Sequence, residues 1–222
     1  MRLTLFDLDG TLLTGDSDHA FGEFVIQRGW ADAAAHRARN DAFHADYSAG
    51  TLDIDAYVDF ATRAWRGRSA DELTHASQAF VKTHVLPMIT ADARALVEQH
   101  RNAGDELAIV TATNDFVTRP IAALFGIGTL IATDLARDAD GRVLGTIAGV
   151  PAFREGKVQR VEQWLAARGR TLADHERCTF YSDSINDLPL LEHVSHPVAT
   201  NPTPALARIA AARGWPILKL HP

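Results

Sequence analysis

A short apolar strand that runs directly into an acidic loop constrains this chain more than any other feature. Residues 3–6 read LTLF, and the polar segment DLDGT follows without an intervening residue. An apolar run of this length, bounded by turn-forming residues, is typical of a β-strand buried on both faces, as in parallel sheets covered by helices. The run therefore predicts an α/β fold whose first strand carries Asp7 and Asp9 at its C-terminal tip.

The rest of the chain supplies further strands of the same kind. The candidates are ELAIV before Thr111, CTFY before Ser182, HPVAT after His193 and WPIL near the C-terminus. These segments alternate with helical patterns, among them residues 91–100, closed by Gly104, and residues 117–125. Alternation of strands and helices is the pattern of a parallel sheet. We therefore expect a Rossmann-like parallel sheet with helices on both faces.

Residues 14–89 differ from the remainder because they show helical periodicity and little strand character. Apolar residues recur there at helical spacing, namely Ala56, Tyr57, Phe60, Ala61, Ala64 and Trp65. Ser69 and Glu72 form a capping-box pattern that opens another helix. We expect residues 14–89 to form an inserted α-helical cap domain after the first strand, with residues 1–13 and 90–222 forming the α/β core.

The segment after residue 129 carries a hairpin signal. It reads LIATDL, then DADGR, then VLGTIAG, so an Asp-Gly pair lies between two β-prone runs. Such a pair favours a tight turn between antiparallel strands. We expect a short two-stranded hairpin here, and an unrelated surface loop stays open as the alternative.

Composition and charge exclude several kinds of partner. The 222 residues are 46% hydrophobic and 23% charged, as in ordinary globular proteins, and the net charge is -6. Nucleic acids and anionic membranes are bound by clustered Lys and Arg, which this chain lacks. We therefore predict neither a nucleic-acid nor a membrane partner. No feature of the sequence indicates the oligomeric state.

The N-terminus and the single cysteine both favour a cytoplasmic protein. The opening MRLTLF is too short an apolar run for a secretory signal, and no uninterrupted apolar stretch reaches the length of a membrane span. Cys178 lies within the apolar segment CTFY and has no partner for an internal disulfide, which fits a reducing compartment. We expect this cysteine to be a small core residue.

The loop DLDGT contains residues suited to phosphoryl chemistry. Asp7 and Asp9 lie two apart, so on an extended backbone their side chains or carbonyls converge on one small volume. Asp7 is then a candidate carboxylate nucleophile and Asp9 a candidate general acid and base. Gly10 allows a tight turn that brings amide groups toward a phosphate, and Thr11 caps that turn. A solvated turn is the alternative interpretation of the loop taken alone.

The segment FDLDGT after an N-terminal apolar strand resembles the first motif of the haloacid dehalogenase-like superfamily of phosphohydrolases. The second motif of that superfamily is a Ser or Thr at the tip of the next core strand, which implies Thr111 as the residue that binds a phosphate oxygen. The third is a lysine that neutralises phosphate and nucleophile. Of Lys82, Lys157 and Lys219, only Lys157 lies between the second and fourth motifs. The resemblance therefore implies a catalytic role for Lys157.

The fourth motif places acidic residues after another apolar strand, and CTFYSDSINDLPLL supplies them. The resemblance implies that Asp183 binds a metal, while Asn186 and Asp187 orient the site. Mg²⁺ prefers an all-oxygen octahedral shell, which Asp7, the carbonyl of Asp9, Asp183, a phosphate oxygen and waters provide. Many relatives have Gly on both sides of the metal-binding Asp, whereas this chain has Ser182 and Ser184. We expect the loop geometry to survive because both replacements are small.

Within the superfamily, the helical cap, the DADGRVLG hairpin and the YSDSINDLPLL segment look most like the phosphoserine phosphatase branch. In that branch an acidic cap residue nine positions after the nucleophile recognises the amino group of the substrate, and Asp16 occupies that position. The usual residue there is Glu. A cap arginine recognises a carboxylate, for which Arg63, Arg66 and Arg68 are all candidates. The implied function is a Mg²⁺-dependent phosphatase that acts on a small phosphorylated metabolite through an aspartyl-phosphate.

Several alternatives remain open at this stage. A phosphomutase or phosphotransferase of the same fold differs only in the group that accepts the phosphoryl. A dehalogenase of this fold needs neither Mg²⁺ nor the second Asp, and a phospho-accepting receiver domain places its Asp after several strands. The sequence disfavours both, because Asp9 is present and Asp7 comes so early. A zinc site at His193 and His196 lacks further ligands at suitable spacing, so we expect ordinary loop or surface histidines.

Overall fold

The structure, a computed structural model, describes residues 1–221 and is built around a parallel sheet. The strands are β1 (Arg2–Phe6), β2 (Glu106–Asn114), β3 (Thr129–Thr133), β4 (Leu135–Arg137), β5 (Val143–Ile147), β6 (Arg177–Ser182), β7 (His196–Thr200) and β8 (Ile217–Leu218). Six of them form one sheet in the order β3-β2-β1-β6-β7-β8, with every neighbouring pair parallel. The strand that leads into DLDGT therefore lies near the centre of the sheet.

The helices follow the alternation that the sequence predicts. They are α1 (Ser17–Gln27), α2 (Ala33–Ala49), α3 (Ile54–Arg63), α4 (Ala70–Phe80), α5 (Ala91–Asn102), α6 (Asp115–Leu124), α7 (Glu155–Ala166), α8 (Leu188–His193) and α9 (Pro204–Arg213). A π-helical turn (Val81–Val85) and a 3₁₀ turn (Leu86–Met88) connect α4 to α5. Between β1 and β2 the described chain is helical, whereas strands and helices alternate after β2.

Both faces of the sheet are buried, as a parallel sheet requires. Side chains alternate along a strand, so Leu3 and Leu5 of β1 pack on one face with Val161 and Leu165 of α7. Phe6 points to the other face, into a second hydrophobic cluster. Burial of apolar surface on both sides stabilises a central strand of this kind. The prediction of an α/β fold with helices on both faces is confirmed.

The helices between β1 and β2 share a hydrophobic cluster with the sheet. Phe21 and Phe24 of α1 and Phe80 of α4 are almost fully buried in the cluster that also contains Phe6 and Ile109. Phe21 and Phe80 meet edge to face with ring centroids 4.9 Å apart, a favourable aromatic geometry. These apolar contacts hold the helical segment against the sheet. The division of the chain into a cap at residues 14–89 and a surrounding core stays a prediction.

Two local predictions in this part of the chain are confirmed. Ser69 accepts a hydrogen bond from the amide of Glu72 and the Glu72 carboxylate accepts one from the amide of Ser69, which completes the capping box at the start of α4. Strands β4 and β5 pair antiparallel as the predicted hairpin. Its turn uses Gly141 at φ +80°, a left-handed conformation that glycine adopts without strain.

Two further observations concern the length of the helices and the burial of the single cysteine. None of the helices within residues 1–221 combines the length and apolar character that crossing a bilayer requires. Cys178 is buried in β6 among core side chains, as expected for a small core residue. Burial raises the pKa of its thiol to about 12, so the thiol stays protonated and unreactive.

Candidate active site

The three central strands bring the candidate residues to one edge of the sheet. Strand β1 lies between β2 and β6, and all three run in the same direction. Ligands bind at the carboxyl ends of strands in open α/β sheets. Asp7 follows β1 and Asp183 follows β6, while Thr111 lies within β2, which continues to Asn114. These residues line one cavity together with Asp9 and Gly10.

A buried lysine joins two of the predicted acidic residues. The Nζ atom of Lys157 donates hydrogen bonds to Oδ1 of Asp7 at 2.9 Å and to Oδ2 of Asp187 at 2.7 Å. The lysine side chain is only 1% exposed. Burial alone would lower the pKa of Lys157, but the charges of Asp187 and Asp7 outweigh burial and raise it. The lysine is therefore held as a cation against the carboxylate of Asp7.

The backbone before α7 explains how Lys157 reaches the site. Lys157 lies in the first turn of α7, after Arg154, which adopts φ +52°. At Gly156 a side chain would collide with the carbonyl oxygen of Pro151. Glycine therefore permits the close approach that starts the helix at this point.

Asp7 itself is buried, and burial raises its pKa to about 6 against the opposing charge of Lys157.

The serines that replace glycine in the fourth motif belong to the hydrogen-bond network of the loop. The Ser182 hydroxyl donates to Oδ2 of Asp187 at 2.7 Å and accepts a hydrogen bond from the amide of Ser184 at 3.1 Å. Ser184 in turn accepts a hydrogen bond from the amide of Asn186. Asp187 is thus oriented by Ser182 and Lys157 together. Ser182 adds a hydrogen bond that glycine does not provide, so this departure from the usual pattern supports the loop.

Asp9 is oriented by two donors. Its Oδ1 accepts a hydrogen bond from the amide of Ser17 at 2.6 Å, and its Oδ2 accepts one from the hydroxyl of Thr113 at 2.9 Å. Burial, followed by the nearby carboxylate of Asp16, raises the pKa of Asp9 well above its ordinary value. A raised pKa favours the protonated form of the carboxyl group, which is the form that donates a proton to a leaving group.

Gly10 and Thr11 fix the position of Asp183. Gly10 has φ +70°, and a side chain there would collide with the carboxylate of Asp183. The hydroxyl of Thr11 donates to Oδ1 of Asp183 at 3.2 Å and accepts a hydrogen bond from the amide of Asp183 at 3.0 Å. Burial and then the charges of Asp7 and Asp187 raise the pKa of Asp183 well above its ordinary value. The loops after β1 and β6 therefore interlock at this point.

The donors at this edge fit a hard divalent cation. Asp7 and Asp183 are carboxylates whose mutual repulsion a cation would relieve, and Asp183 forms no salt bridge within residues 1–221. Oxygen-only donors are the ligands that Mg²⁺ prefers. Within the same residues no cluster of three or more His, Cys, Asp or Glu side chains is placed to hold a metal. The implied Mg²⁺ shell needs only two carboxylates, because Asp9 contributes its backbone carbonyl.

A cavity of about 630 Å³ opens above these residues, a size that suits a small metabolite. The helical segment supplies much of its wall: Asp16, Asp18, His19, Asn40, Phe43, His44, Tyr47, Leu52, Ile54 and Tyr57. Carboxylates and aromatic rings therefore dominate the part of the cavity that faces away from the sheet. The one arginine among the described lining residues is Arg208, on α9.

Asp16, the predicted amine-binding residue, lines the cavity but caps helix α1. Its Oδ1 accepts hydrogen bonds from the amides of Asp18 and His19, each at 2.9 Å. Its Oδ2 lies 3.3 Å from Nδ1 of His44. Burial works to raise the pKa of Asp16, but the hydrogen bonds from His44 and from the His19 amide lower it overall. Both carboxylate oxygens of Asp16 therefore already have partners.

The predicted carboxylate-binding arginines lie outside the cavity. Arg63 and Arg66 both pair with Asp59 on the surface of α3. Arg68 pairs with Glu72 and stacks over the ring of Trp30. None of the three arginines lines the cavity above Asp7. The structure therefore supplies no arginine from the helical segment for a substrate carboxylate.

Asn186 connects the sheet to the helical segment. Its Nδ2 donates to the carbonyl of Tyr47 at 2.8 Å, and its Oδ1 accepts a hydrogen bond from Nε of Arg154 at 3.4 Å. Arg154 also donates to the carbonyl of Gly50. Asn186 thus makes its side-chain contacts with α2 and with the loop before α7. The structure places it where it positions the cavity wall relative to the sheet.

The two histidines considered for zinc do not approach each other as ligands. His193 pairs with Glu162 on the surface, and His196 contacts its neighbour Ser195. Both contacts are to exposed groups. The expectation of ordinary surface histidines is confirmed.

Comparison with known proteins decides the family. A profile of the haloacid dehalogenase-like hydrolases matches residues 4–192, a range that includes the helical segment, most of the sheet and the positions of the four predicted motifs. The chain belongs to this family. The four predicted motifs all lie within the matched residues.

Similar proteins identify a haloacid dehalogenase-like phosphatase. A histidinol-phosphatase of Neisseria meningitidis is 44% identical over 217 residues, covering 98% of both chains. A Bordetella pertussis protein of unknown function matches in structure with a TM-score of 0.93, 47% identity and 99% coverage of both chains. A substrate-bound phosphoserine phosphatase matches with a TM-score of 0.69 at 17% identity, over 97% of this chain and 91% of that one, and so shares the fold.

Thr113 and Arg208 are two of the cavity residues that the sequence analysis did not predict. Thr113 lies two positions after Thr111 on β2, and its hydroxyl contacts Asp9. The period of two along a strand predicts that both side chains share a face, so a local signal for Thr113 exists. Arg208 lies on α9, near the end of the chain, and no motif marks it. Its place at the cavity follows from the folded arrangement alone.

Lys157→Met is expected to lower kcat/KM at least about 100-fold, because a cation next to Asp7 is removed where negative charge concentrates. It also leaves two buried carboxylates without a counter-charge, which is expected to cost about 3–5 kcal/mol in unfolding free energy. Steady-state kinetics and urea unfolding measure the two effects. The exposed Lys82→Met is the matched control and should change neither. A loss of less than tenfold for Lys157→Met would contradict a role at the reacting group.

Proposed function

We propose that the chain is a Mg²⁺-dependent phosphomonoesterase that transfers the phosphoryl group of a small metabolite to Asp7 and then to water. The observation that carries this proposal is the buried contact between Lys157 and Asp7 at the base of the cavity. Keeping a lysine 1% exposed is unfavourable unless it is paired, and here both partners are carboxylates of the site. The arrangement is suited to compensating the charge of a nucleophile and a phosphate.

In the first step, a carboxylate oxygen of Asp7 attacks phosphorus and the bond from phosphorus to the alcohol oxygen breaks. Asp9 donates its proton to that oxygen, in keeping with its raised pKa. In the second step, Asp9 takes a proton from water, and the water oxygen attacks the phosphorus of the aspartyl-phosphate. The bond between phosphorus and the Asp7 oxygen breaks and inorganic phosphate leaves.

The remaining candidates bind and orient the phosphoryl group. The hydroxyl of Thr111 donates to a phosphate oxygen, and the backbone turn at Gly10 lines the same cavity. Asp7, Asp183 and the carbonyl of Asp9 would hold Mg²⁺, which when bound neutralises phosphate charge and offsets its repulsion from the nucleophile. Asp187 and Ser182 position Lys157 rather than touch the substrate.

We infer that the substrate carries an amine and an aromatic ring but no carboxylate, and that it is histidinol phosphate. The cavity contains Asp16 and Asp18 for a cation and Phe43 and Tyr57 for a ring. The one arginine among the described lining residues is Arg208 of α9, and the helical segment supplies none to pair with a carboxylate such as that of phosphoserine. The relative that is 44% identical is a histidinol-phosphatase, which supports the same choice. A cytoplasmic location remains a prediction.

Release of inorganic phosphate from a panel of phosphomonoesters tests the proposal. With Mg²⁺, histidinol phosphate is expected to give the highest kcat/KM, at least about tenfold above phosphoserine. Addition of a chelator should abolish turnover, and excess Mg²⁺ should restore it. Transfer of the phosphoryl group to a second alcohol without phosphate release would instead identify a phosphotransferase or mutase. Undiminished activity in the chelator would contradict the metal requirement.

A further inference from the structure

Asp18 is a buried carboxylate of the cavity that the proposed reaction does not use. It lies in the first turn of α1 and is 8% exposed. Its Oδ1 accepts a hydrogen bond from Nδ2 of Asn114 at 3.4 Å, close to the limit for such a bond. Within residues 1–221 it forms no salt bridge with Lys, Arg or His, unlike Asp7, Asp16 and Asp187. Buried carboxylates are usually paired with a cation, whereas the hydrogen bond that Asp18 accepts comes from Asn114, a neutral donor.

The groups around Asp18 do not supply a positive charge. Burial, and then the charge of Asp16, raises the pKa of Asp18 to about 7, while the hydroxyl of Tyr57 works in the opposite direction. Burial and the charge of Asp18 raise the pKa of Tyr57 well above its ordinary value, so its phenol stays protonated. Asn114 and Tyr57 are therefore neutral groups, and neither supplies a positive charge to Asp18. A cation that entered the cavity would stabilise the ionised carboxylate.

Asp16 differs from Asp18 although both line the same part of the cavity. The carboxylate of Asp16 accepts two amide hydrogen bonds of α1 and faces the imidazole of His44. Hydrogen bonds from His44 and from the His19 amide lower the pKa of Asp16, and the Asp16 carboxylate raises the pKa of His44. Asp16 is therefore committed to the helix start and to His44. Of the two carboxylates, Asp18 is the one that has no salt-bridge partner within residues 1–221.

We propose that Asp18 accepts the protonated amine of the substrate and selects phosphomonoesters that carry a primary ammonium group. The inference rests on the proposed function, because it adds a subsite to the same cavity. Asn114 donates to the carboxylate, and the cavity that contains Asp18 also contains Tyr57, Asp7 and Asp9. A substrate whose phosphate lies at Asp7 therefore shares one enclosed space with this carboxylate. Asp18 touches the substrate away from the reacting atoms, so it determines specificity and not chemistry.

Asp18 also has a structural interpretation that the experiment must separate. Its partner Asn114 caps α6, since Oδ1 of Asn114 accepts a hydrogen bond from the amide of Val117 at 3.1 Å. If Asp18 served only to hold Asn114, its loss would disturb the adjacent strand end, including Thr113 and its contact with Asp9. All substrates would then be affected alike. If Asp18 instead binds the amine, its substitution should lower kcat/KM only for substrates that carry the amine.

The test compares histidinol phosphate with the analogue that lacks only its amine, using wild type and Asp18→Asn. Asparagine keeps the shape of the side chain, and its amide turns a donor toward an ammonium group. We expect kcat/KM for histidinol phosphate to fall about 10- to 100-fold, mainly through KM, which matches the loss of one charged hydrogen bond. The amine-free analogue and p-nitrophenyl phosphate should change less than about twofold. The exposed Asp55→Asn on α3 is the matched control and should change none of these values.

Two results would overturn the proposal: equal losses on both members of the substrate pair, or no loss on either. Wild type alone gives a second criterion that does not depend on how the variant folds, because it should prefer the aminated substrate at least about tenfold. A wild type without that preference refutes the subsite. If wild type hydrolysed no monoester, the proposed function would fail, and calorimetry with the amino alcohol histidinol would decide the subsite. Binding at least about tenfold weaker to Asp18→Asn supports it, whereas equal or undetectable binding overturns it.

Discussion

Asp7→Asn is expected to abolish phosphate release, with kcat falling at least about 10⁴-fold while the fold stays intact. The amide keeps the shape of the carboxylate but has no oxygen able to attack phosphorus. Lys157 retains its contact with Asp187 at 2.7 Å, so the buried lysine keeps one counter-charge. The fold should therefore survive, and the loss should be chemical.

Phosphate release under saturating substrate measures this loss, and urea unfolding measures the stability of the same preparation. The exposed Asp71→Asn of α4 is a matched control, because it removes the same charge far from the cavity. A purified Asp7→Asn protein that released phosphate at near the wild-type rate would contradict the assignment of Asp7 as nucleophile. A residual activity that rose slowly on storage would indicate deamidation back to aspartate.

The parts of the site that the sequence predicted are those attached to strand ends. Asp7 and Asp9 follow an apolar strand, and Asp183 follows another, so their positions along the chain fix their positions at the edge of a parallel sheet. Lys157 could be predicted for a different reason, because the order of motifs left a single lysine in the required interval. Such inferences need only local pattern and chain order.

The cavity wall could not be predicted in this way. Asp18, Asn40 and Tyr57 lie on three different helices, and they face the same space only because those helices pack against the sheet through residues such as Phe21. That packing results from many apolar contacts and leaves no short motif. Arg66 illustrates the consequence. Its chemistry suited a carboxylate, but it lies in the turn after α3 and its side chain contacts Asp59 and approaches the hairpin at Gly145.

The start of α1 shows that residue type alone does not give a role. Asp16 and Asp18 are two acids in one helical turn, and both line the cavity. The position before the first helical residue favours Asp because its carboxylate accepts amide hydrogen bonds, which is the use that Asp16 makes of its Oδ1. Asp18 lies inside the helix and has no such use. The resemblance to the phosphoserine phosphatase branch implied Asp16, whereas the lack of a salt bridge within residues 1–221 favours Asp18.

Asp9→Asn is expected to slow both halves of the reaction, because the same carboxyl group donates a proton to the leaving oxygen and then accepts one from water. Each function contributes about 10²- to 10⁴-fold. The local structure should persist, since the amide oxygen still accepts the hydrogen bond from Ser17 and the hydroxyl of Thr113 can reverse its direction. The variant therefore removes proton transfer by residue 9 while leaving the local structure and substrate binding in place.

The choice of leaving group separates the two steps in Asp9→Asn. p-Nitrophenolate leaves with little help from an acid, so transfer of the phosphoryl group to Asp7 is expected to continue while hydrolysis stalls. Rapid quenching with mass spectrometry should show a protein heavier by one phosphoryl group after a burst of p-nitrophenol close to one equivalent. The double variant Asp7→Asn, Asp9→Asn should show neither burst nor adduct. If no phosphorylated protein formed in wild type or in Asp9→Asn, and both steps slowed alike, direct attack by water would replace the aspartyl-phosphate, and Asp7 would be left as a metal ligand.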